Sequence, residues 1–486
     1  MSSQSVSVKV CSFIDLFTTE AIYPINIDTY QRPYVWGEDK VRELIKDLSE
    51  YIHDSKGLVY YMGNVLLHQN DAKKKLFIID GQQRLTTLSI LYFILIGKFS
   101  DGDKMAMEYH SPLSAKNIKI TQSIFQEIKE EWKTEAESLF SNIHITCITT
   151  LDEDMAFTFF DTQNNRGVKL FPTDLLKAYH LRAIGNTDNL SIQINCASRW
   201  EKIQKYQTMF GQKKDFTAEL FHQFLWRSRA WRGQRVIYRE GDVDILNEFQ
   251  KNSLPSTTAD TIPLYPNPNN VLGKKLQLKV NKGYTIYPAN IDSNNSSAHL
   301  PFTLRQPIND GLGFFLFSEK YADLVQLLLF ESEIVNNEIK SFRNFYKEVW
   351  QSMSLYLKEL YVLSTVMYYD KFGSEKLLEF SLYLDHVLGS IRLEKAYIFK
   401  EAPLKFLKES DNNLLDIISQ AFRTEEVIQF LKNLSQENLI YTNDKTERNK
   451  GVQGVYKNSL FNYYDKTDFT SKQSWISESF IKEKLK

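Results

Sequence analysis

Leu76-Phe77-Ile78-Ile79-Asp80-Gly81-Gln82-Gln83-Arg84-Leu85-Thr86-Thr87-Leu88 is the stretch on which the fold of this chain turns. Its four leading apolar residues, β-branched or aromatic for the most part, predict a short buried strand. Asp80-Gly81 predicts a sharp turn, because glycine reaches backbone angles that other residues avoid. From Gln82 to Ile96 the sequence is helical in pattern and almost free of breakers. A strand, a glycine turn and a helix start bring free backbone N–H groups and the positive helix end to one point. That is an anion site, and Arg84 adds a planar guanidinium suited to phosphate. Thr86 and Thr87 place two hydroxyls in the same first turns. The plainer reading, a strand-to-helix junction with a surface arginine, fits the same residues.

The flanking sequence narrows the choice. Upstream stand Tyr30-Gln31-Arg32-Pro33-Tyr34-Val35-Trp36, then Leu44 and Asp47 on an amphipathic helix, then Tyr61-Met62-Gly63-Asn64-Val65-Leu66. Downstream stand Asn164, Arg166 and Gly167, with Asp174 and Lys177 following. In order and spacing, these segments over roughly residues 10 to 250 resemble the GmrSD-type restriction family, specifically its GmrS-like N-terminal region with the DGQQR signature. SspE and BrxU proteins are relatives of that family. The resemblance implies a ParB/sulfiredoxin-like α/β domain whose signature loop carries a nucleotide, within a system that restricts phage DNA.

Composition sets outer bounds. With 486 residues, 43% hydrophobic and 24% charged, the chain reads as an ordinary globular protein with room for two or three domains. Aromatics at 13% predict ring-rich helix packing. A formal net charge of −1 shows no global basic excess, which leaves a local basic groove open. Cys11, Cys147 and Cys196 are far apart and form no CxxC pair, so neither a disulfide framework nor a zinc cluster is expected. No secretory pattern opens the sequence, and Leu88–Ile96 is too short to span a bilayer, so a cytoplasmic protein is expected.

The fold class expected is α+β. Strands are expected at Val6–Val10, Tyr23–Ile27, Val59–Leu67 and Leu76–Ile79, with helices near 37–54 and 82–98. Four parts are expected: a nucleotide-binding α/β domain at 1–110, a helical domain at 111–252, a linker or insert at 253–311, and a helical domain at 312–486. The third part holds seven of the chain's 12 prolines, and a hairpin is predicted around Leu276–Tyr287.

Asp80, Gln82, Gln83 and Arg84 are the catalytic candidates. Asp80 suits Mg²⁺, which prefers carboxylate and phosphate oxygens, or else bonds its own turn. An amide of Gln82 or Gln83 can orient a water. Gln31, Arg32, Gly81, Arg84, Thr86 and Thr87 are candidates to hold the nucleotide. The resemblance places Gln31-Arg32 beside the signature loop, whereas the residues alone equally allow Arg32 to stack on Tyr34 or Trp36. Asn164, Arg166 and Gly167 form a polar loop for the same pocket. Asp174 reads as a charge at a helix N-terminus and Lys177 as its neighbour one turn on. Tyr34, Trp36, Arg227, Arg229 and Arg232 are candidates for a DNA face, since charge serves phosphate and rings serve bases. For the arginine cluster, tryptophans in the core with arginines facing carboxylates is the competing reading.

Only His299 and His386 lie beyond His222, and neither sits in an HNH-like pattern. The expectation is therefore a nucleotide-binding, NTP-hydrolysing subunit, taking a nucleoside triphosphate with Mg²⁺. Its partners would be DNA, modified phage DNA in particular, and an HNH-type nuclease or other defence subunit; a homo-oligomer is left open. Two alternatives stand: a non-enzymatic, nucleotide-dependent DNA-binding regulator of ParB type, and a self-contained divergent nuclease in the helices beyond residue 314.

Overall fold

The computed structural model describes residues 6–28, 31–54, 58–97, 104–152, 155, 171–185, 189–210, 215–256, 260–265, 276–281, 283–288, 297–331, 336–395, 397–437, 451–466 and 478–486. They form two compact units: residues 1–181 with 190–198, and residues 182–189 with 199–486.

The first unit is built on a five-stranded mixed sheet. In chain order it contains β1 (Val6–Ser12), α1 (Phe13–Asp15), β2 (Ile25–Asn26), α2 (Glu38–Asp54), β3 (Tyr60–Asn70), β4 (Lys75–Asp80), α3 (Gln82–Leu95), α4 (Pro112–Trp132), α5 (Ala136–Asn142) and β5 (Ile143–Thr150). The strand order is β1-β5-β3-β4-β2. β1 with β5 and β3 with β4 run antiparallel, while β3 with β5 and β2 with β4 run parallel. α2 buries Val41, Leu44 and Leu48, one stripe of a 3.6-residue repeat, and turns the Arg42–Glu38 and Lys40–Glu43 pairs outward. α3 differs: ten of its side chains are buried, from Gln82 to Leu95, so it runs mostly through the core, with Phe93 exposed and Arg84 partly so. Phe13, Phe17, Tyr92 and Phe140 pack ring to ring beside it.

The strands expected from the sequence form as β1 to β4, and the class is α+β with a helical C-terminal part. β5 lies where a helical domain was expected. It sits between β1 and β3, so the α/β unit extends past residue 110. Ile143-His144-Ile145-Thr146-Cys147 alternates burial along its length, the period-two pattern of a strand.

The second unit is mostly helical. Leu312–Leu329, Leu355–Phe372 and Leu377–Glu394 are its long helices. The first of these ends at Leu329, and a new helix starts where the Asn336 side chain accepts from the N–H groups of Glu338 and Ile339. Ring stacking is as frequent as the composition implied: Trp350 on Tyr361 at 3.9 Å and Tyr368 on Phe380 at 4.0 Å. The predicted hairpin forms as β6 (Leu276–Asn281) and β7 (Gly283–Pro288). The ends of the proline-rich stretch are not a free linker, since Leu254 bridges Asn309 while Phe302, Leu304 and Ile308 are buried. No helix among the described residues is long and apolar enough to cross a membrane.

Candidate anion site at the first strand-to-helix junction

β4 ends at Asp80, and Gly81 carries the chain into α3 with a positive φ of 94°. Only glycine fits here on two counts. The backbone is left-handed, and a Cβ would stand 2.8 Å from Val65 Cγ2 on the neighbouring strand β3. No side chain caps α3, so its first N–H groups are not spent on a protein acceptor of that kind. Pairing of β3 with β4 begins only at Leu66–Asp80, so the preceding part of β3 runs on past the end of β4. Arg84, in the first turn of α3, reaches into that space.

A bulge on β3 receives it. The register against β5 passes from Tyr61–His144 to Gly63–Ile145, leaving Met62 without a partner strand residue. The Met62 carbonyl accepts from Arg84 Nη1 at 3.3 Å, and Arg84 Nη2 lies 3.3 Å from Asp80 Oδ2. Gly63 has φ 103°, and a Cβ there would collide with the Arg84 guanidinium. The Arg84 and Asp80 side chains remain 26% and 38% exposed, so both can still meet a ligand.

The 31–36 segment is fastened to the same junction. Gln31 Nε2 donates to the carbonyls of Ile78 and Ile79 at 2.7 and 3.0 Å, taking over from β2 along the edge of β4. Gln83 Nε2 donates to the Pro33 carbonyl, and Gln83 Oε1 accepts from the N–H groups of Val35 and Trp36. Arg32 sits between these two anchors, half-buried, and makes no hydrogen bond or ion pair among the described residues. Gln82, 5% exposed, has a buried Oε1 with no hydrogen-bond partner. The junction thus gathers two guanidinium-bearing residues, a carboxylate, an uncapped helix start and an unpaired amide oxygen.

Several roles expected from the residues alone are corrected by the geometry. Thr86 and Thr87 are 1% and 0% exposed. The Thr86 hydroxyl pairs with Tyr109 and that of Thr87 with the Gln83 carbonyl and Tyr34, so both serve packing and cannot face a nucleotide. Tyr34 is fully buried, its hydroxyl shared between Thr87 and Thr121, so it forms no DNA face; Trp36 is partly buried and packs against the core. Gln83 spends its amide holding the 33–36 backbone. Ser114 and Asn117, which pin the Tyr34 backbone from α4, carried no sequence signal. The bulge did have one, a glycine inside a strand pattern. Asn164, Arg166 and Gly167 lie outside the described residues. Asp174 accepts from the Phe171 N–H at the start of its own helix, and Lys177 is buried.

Similarity to known proteins follows the same division of the chain. Residues 13–181 match the N-terminal domain of the GmrSD restriction endonuclease. Residues 192–450, more than half of the chain, match a family of unknown function, DUF7834. The chain belongs to this DUF7834 family. Its N-terminal part is a GmrSD-type restriction region, and the strand, turn, helix and bulge above all fall within it. No curated protein matches the chain.

Inside the DUF7834 match, the arginine cluster divides. Arg227 is 2% exposed and is held by Glu240 at 2.9 Å and Glu359 at 2.9 Å. Arg229 is held by Glu248 and by the carbonyls of Leu304 and Gln306. Both are therefore internal, and neither is placed to meet DNA. Arg232 alone of the three is exposed. Among the described residues, no group of three or more His, Cys, Asp or Glu is placed to hold a metal ion.

Proposed function

We propose that the GmrSD-type region of this DUF7834 protein binds a nucleoside triphosphate at the Asp80–Arg84 junction and hydrolyses it to drive DNA restriction. The observation that carries this reading is the cradle made for Arg84. Gly63 sits where a Cβ would run into the Arg84 guanidinium, Gly81 packs the turn against β3 and opens an uncapped helix, and Arg84 stands in that helix's first turn. Arg32, anchored beside it, is the second phosphate-directed cation.

The residues present fit Mg²⁺ only in company with phosphate. Asp80 is a single carboxylate, so the remaining positions around the ion would be phosphate oxygens and water, the arrangement magnesium favours. The ion would neutralise Asp80 and leave Arg84 for the phosphates. Gln82, with its unpaired Oε1, is the amide left to orient a water, since Gln83 is committed to the backbone. DNA is the substrate class that restriction implies, and the cut itself would fall to a partner subunit of HNH type.

Phosphate release from ATP, GTP, CTP or UTP with Mg²⁺ tests this. Release by the wild-type chain that disappears in Arg84→Ala supports hydrolysis at this junction. Binding without release in any condition favours the regulator reading, and neither binding nor release removes both.

A further inference from the structure

β1 is an outermost strand of the five-stranded sheet, and its outer side is open. Ser7, Val8, Lys9 and Val10 are all exposed, Val8 and Val10 to 62% and 65%. Among the described residues, Val6 to Val10 make no backbone hydrogen bond outside their pairing with β5. A second row of N–H and C=O groups therefore faces outward along the strand. The opposite edge of the sheet is closed by its own chain. There Ile25 of β2 is buried, its N–H donates to the Lys104 carbonyl at 2.7 Å, and its carbonyl accepts from the Ala106 N–H at 3.0 Å.

Open edges are ordinarily blunted by a proline, a bulge or an outward charge, because an unpaired strand is a template for another. β1 holds no proline, and its register runs unbroken from Val6–Thr150 to Ser12–His144. Its single charge, Lys9, is turned back onto its own chain, 2.8 Å from Glu20. Val6, Val8 and Val10 share one face by the period of two, opposite Thr150, Ile148 and Thr146 of β5.

We propose that β1 pairs antiparallel with β1 of a second copy of this chain, about a two-fold axis at Val8, joining five strands from each copy into one sheet of ten. The alternation of the strand selects both partner and register. Centred on Val8, the pairing sets Val8 against Val8 and Val6 against Val10, and gives Lys9 the Ser7 hydroxyl. Centred on Lys9, it would oppose two lysines; centred on Val10, only that valine would meet another. A second copy supplies the matching alternation by symmetry, and a two-fold contact of this kind closes at a dimer. Backbone hydrogen bonds carry the association, with the valines adding a small apolar contact.

Sedimentation of the full chain without nucleotide tests this apart from the Arg84 junction. Wild type should pass from monomer to dimer as concentration rises, with a dissociation constant on the order of micromolar for so small an interface. Amide exchange across Val6–Ser12 should slow over the same range. Val8→Lys and Val8→Glu should each weaken the dimer at least tenfold, because each sets like charges opposite one another across the axis. An equal mixture of the two variants should dimerise again, since Lys then meets Glu. Misfolded chains would not recover in this way, and neither would a position that does not face itself. A wild-type chain that stays monomeric at every concentration would leave the edge to a strand of another protein and overturn the proposal. A dimer that both variants leave intact, or one that the mixture fails to restore, would overturn it equally.

Discussion

Gly63 lies directly against the guanidinium of Arg84, so closely that the two positions cannot both carry a side chain in the present geometry. The extra residue of the bulge, Met62, supplies the carbonyl that holds Arg84, and Gly63 supplies the space. A strand irregularity and an arginine 21 positions later are thus one device. Gly63→Ala should displace Arg84 and strain a backbone already at φ 103°. The expected result is NTP affinity reduced at least tenfold, with thermal stability lowered by a few degrees; unchanged nucleotide affinity in the folded variant would separate the two residues.

Tyr34 illustrates a buried polar contact of the opposite kind. Its hydroxyl joins Thr87 on α3 to Thr121 on α4, with no exposure to solvent. Tyr34→Phe should cost about 1–2 kcal/mol of stability, because the two threonine hydroxyls lose a shared partner. Chemical denaturation measures this, and DNA affinity should not change.

Arg227 and Arg232 are five positions apart and should behave differently. Truncating Arg227 leaves Glu240 and Glu359 buried without their cation, which typically costs about 3–5 kcal/mol. Arg232→Ala, at an exposed position, should stay within about 0.5 kcal/mol of wild type. Equal losses in the two variants would contradict the burial described for Arg227.

Asp385 sets a pH dependence. It is fully buried; one oxygen accepts from Trp350 Nε1 and the Tyr456 hydroxyl, and the other has no partner. Burial pushes its carboxyl from 3.8 up to about 7. The folded protein therefore holds this proton after the unfolded chain has released it. The stability that the protonated form contributes is complete below about 4 and lost as pH rises through about 7. Neighbouring His386, pushed by burial down to about 3, acts the other way, losing stability as pH falls below the ordinary histidine range. Asp385→Asn keeps an acceptor for Trp350 and Tyr456. Its melting temperature should gain on wild type steadily from pH 4 to pH 7 and then run parallel; a constant offset across that range would show that Asp385 does not titrate there.

Much of the first unit could be read in the residues. The strand Leu76–Ile79, the Asp80-Gly81 turn and the helix from Gln82 all carry local signals, and local signals place local structure. What could not be read was which polar side chains look inward. Thr86, Thr87 and Gln83 have the composition of a binding loop, yet they lie on the buried faces of α3, and helix burial depends on distant partners such as Tyr109, Tyr34 and Pro33. Arg227 and Arg229 were ambiguous for the same reason. Their carboxylate partners stand 13, 19 and 132 positions away, beyond the reach of any periodicity. β5 was missed because five alternating residues behind a helix were outweighed by their helical surroundings.

The most direct test of the central claim is equilibrium titration of a non-hydrolysable nucleoside triphosphate, with Mg²⁺, into wild-type chain, Arg84→Lys and Arg84→Ala. Saturable binding to wild type, weakened in Arg84→Lys by loss of the planar fork and lost in Arg84→Ala, with melting temperatures otherwise preserved, is the predicted result. Equal affinity in all three proteins would show that the Asp80–Arg84 junction does not hold the phosphates.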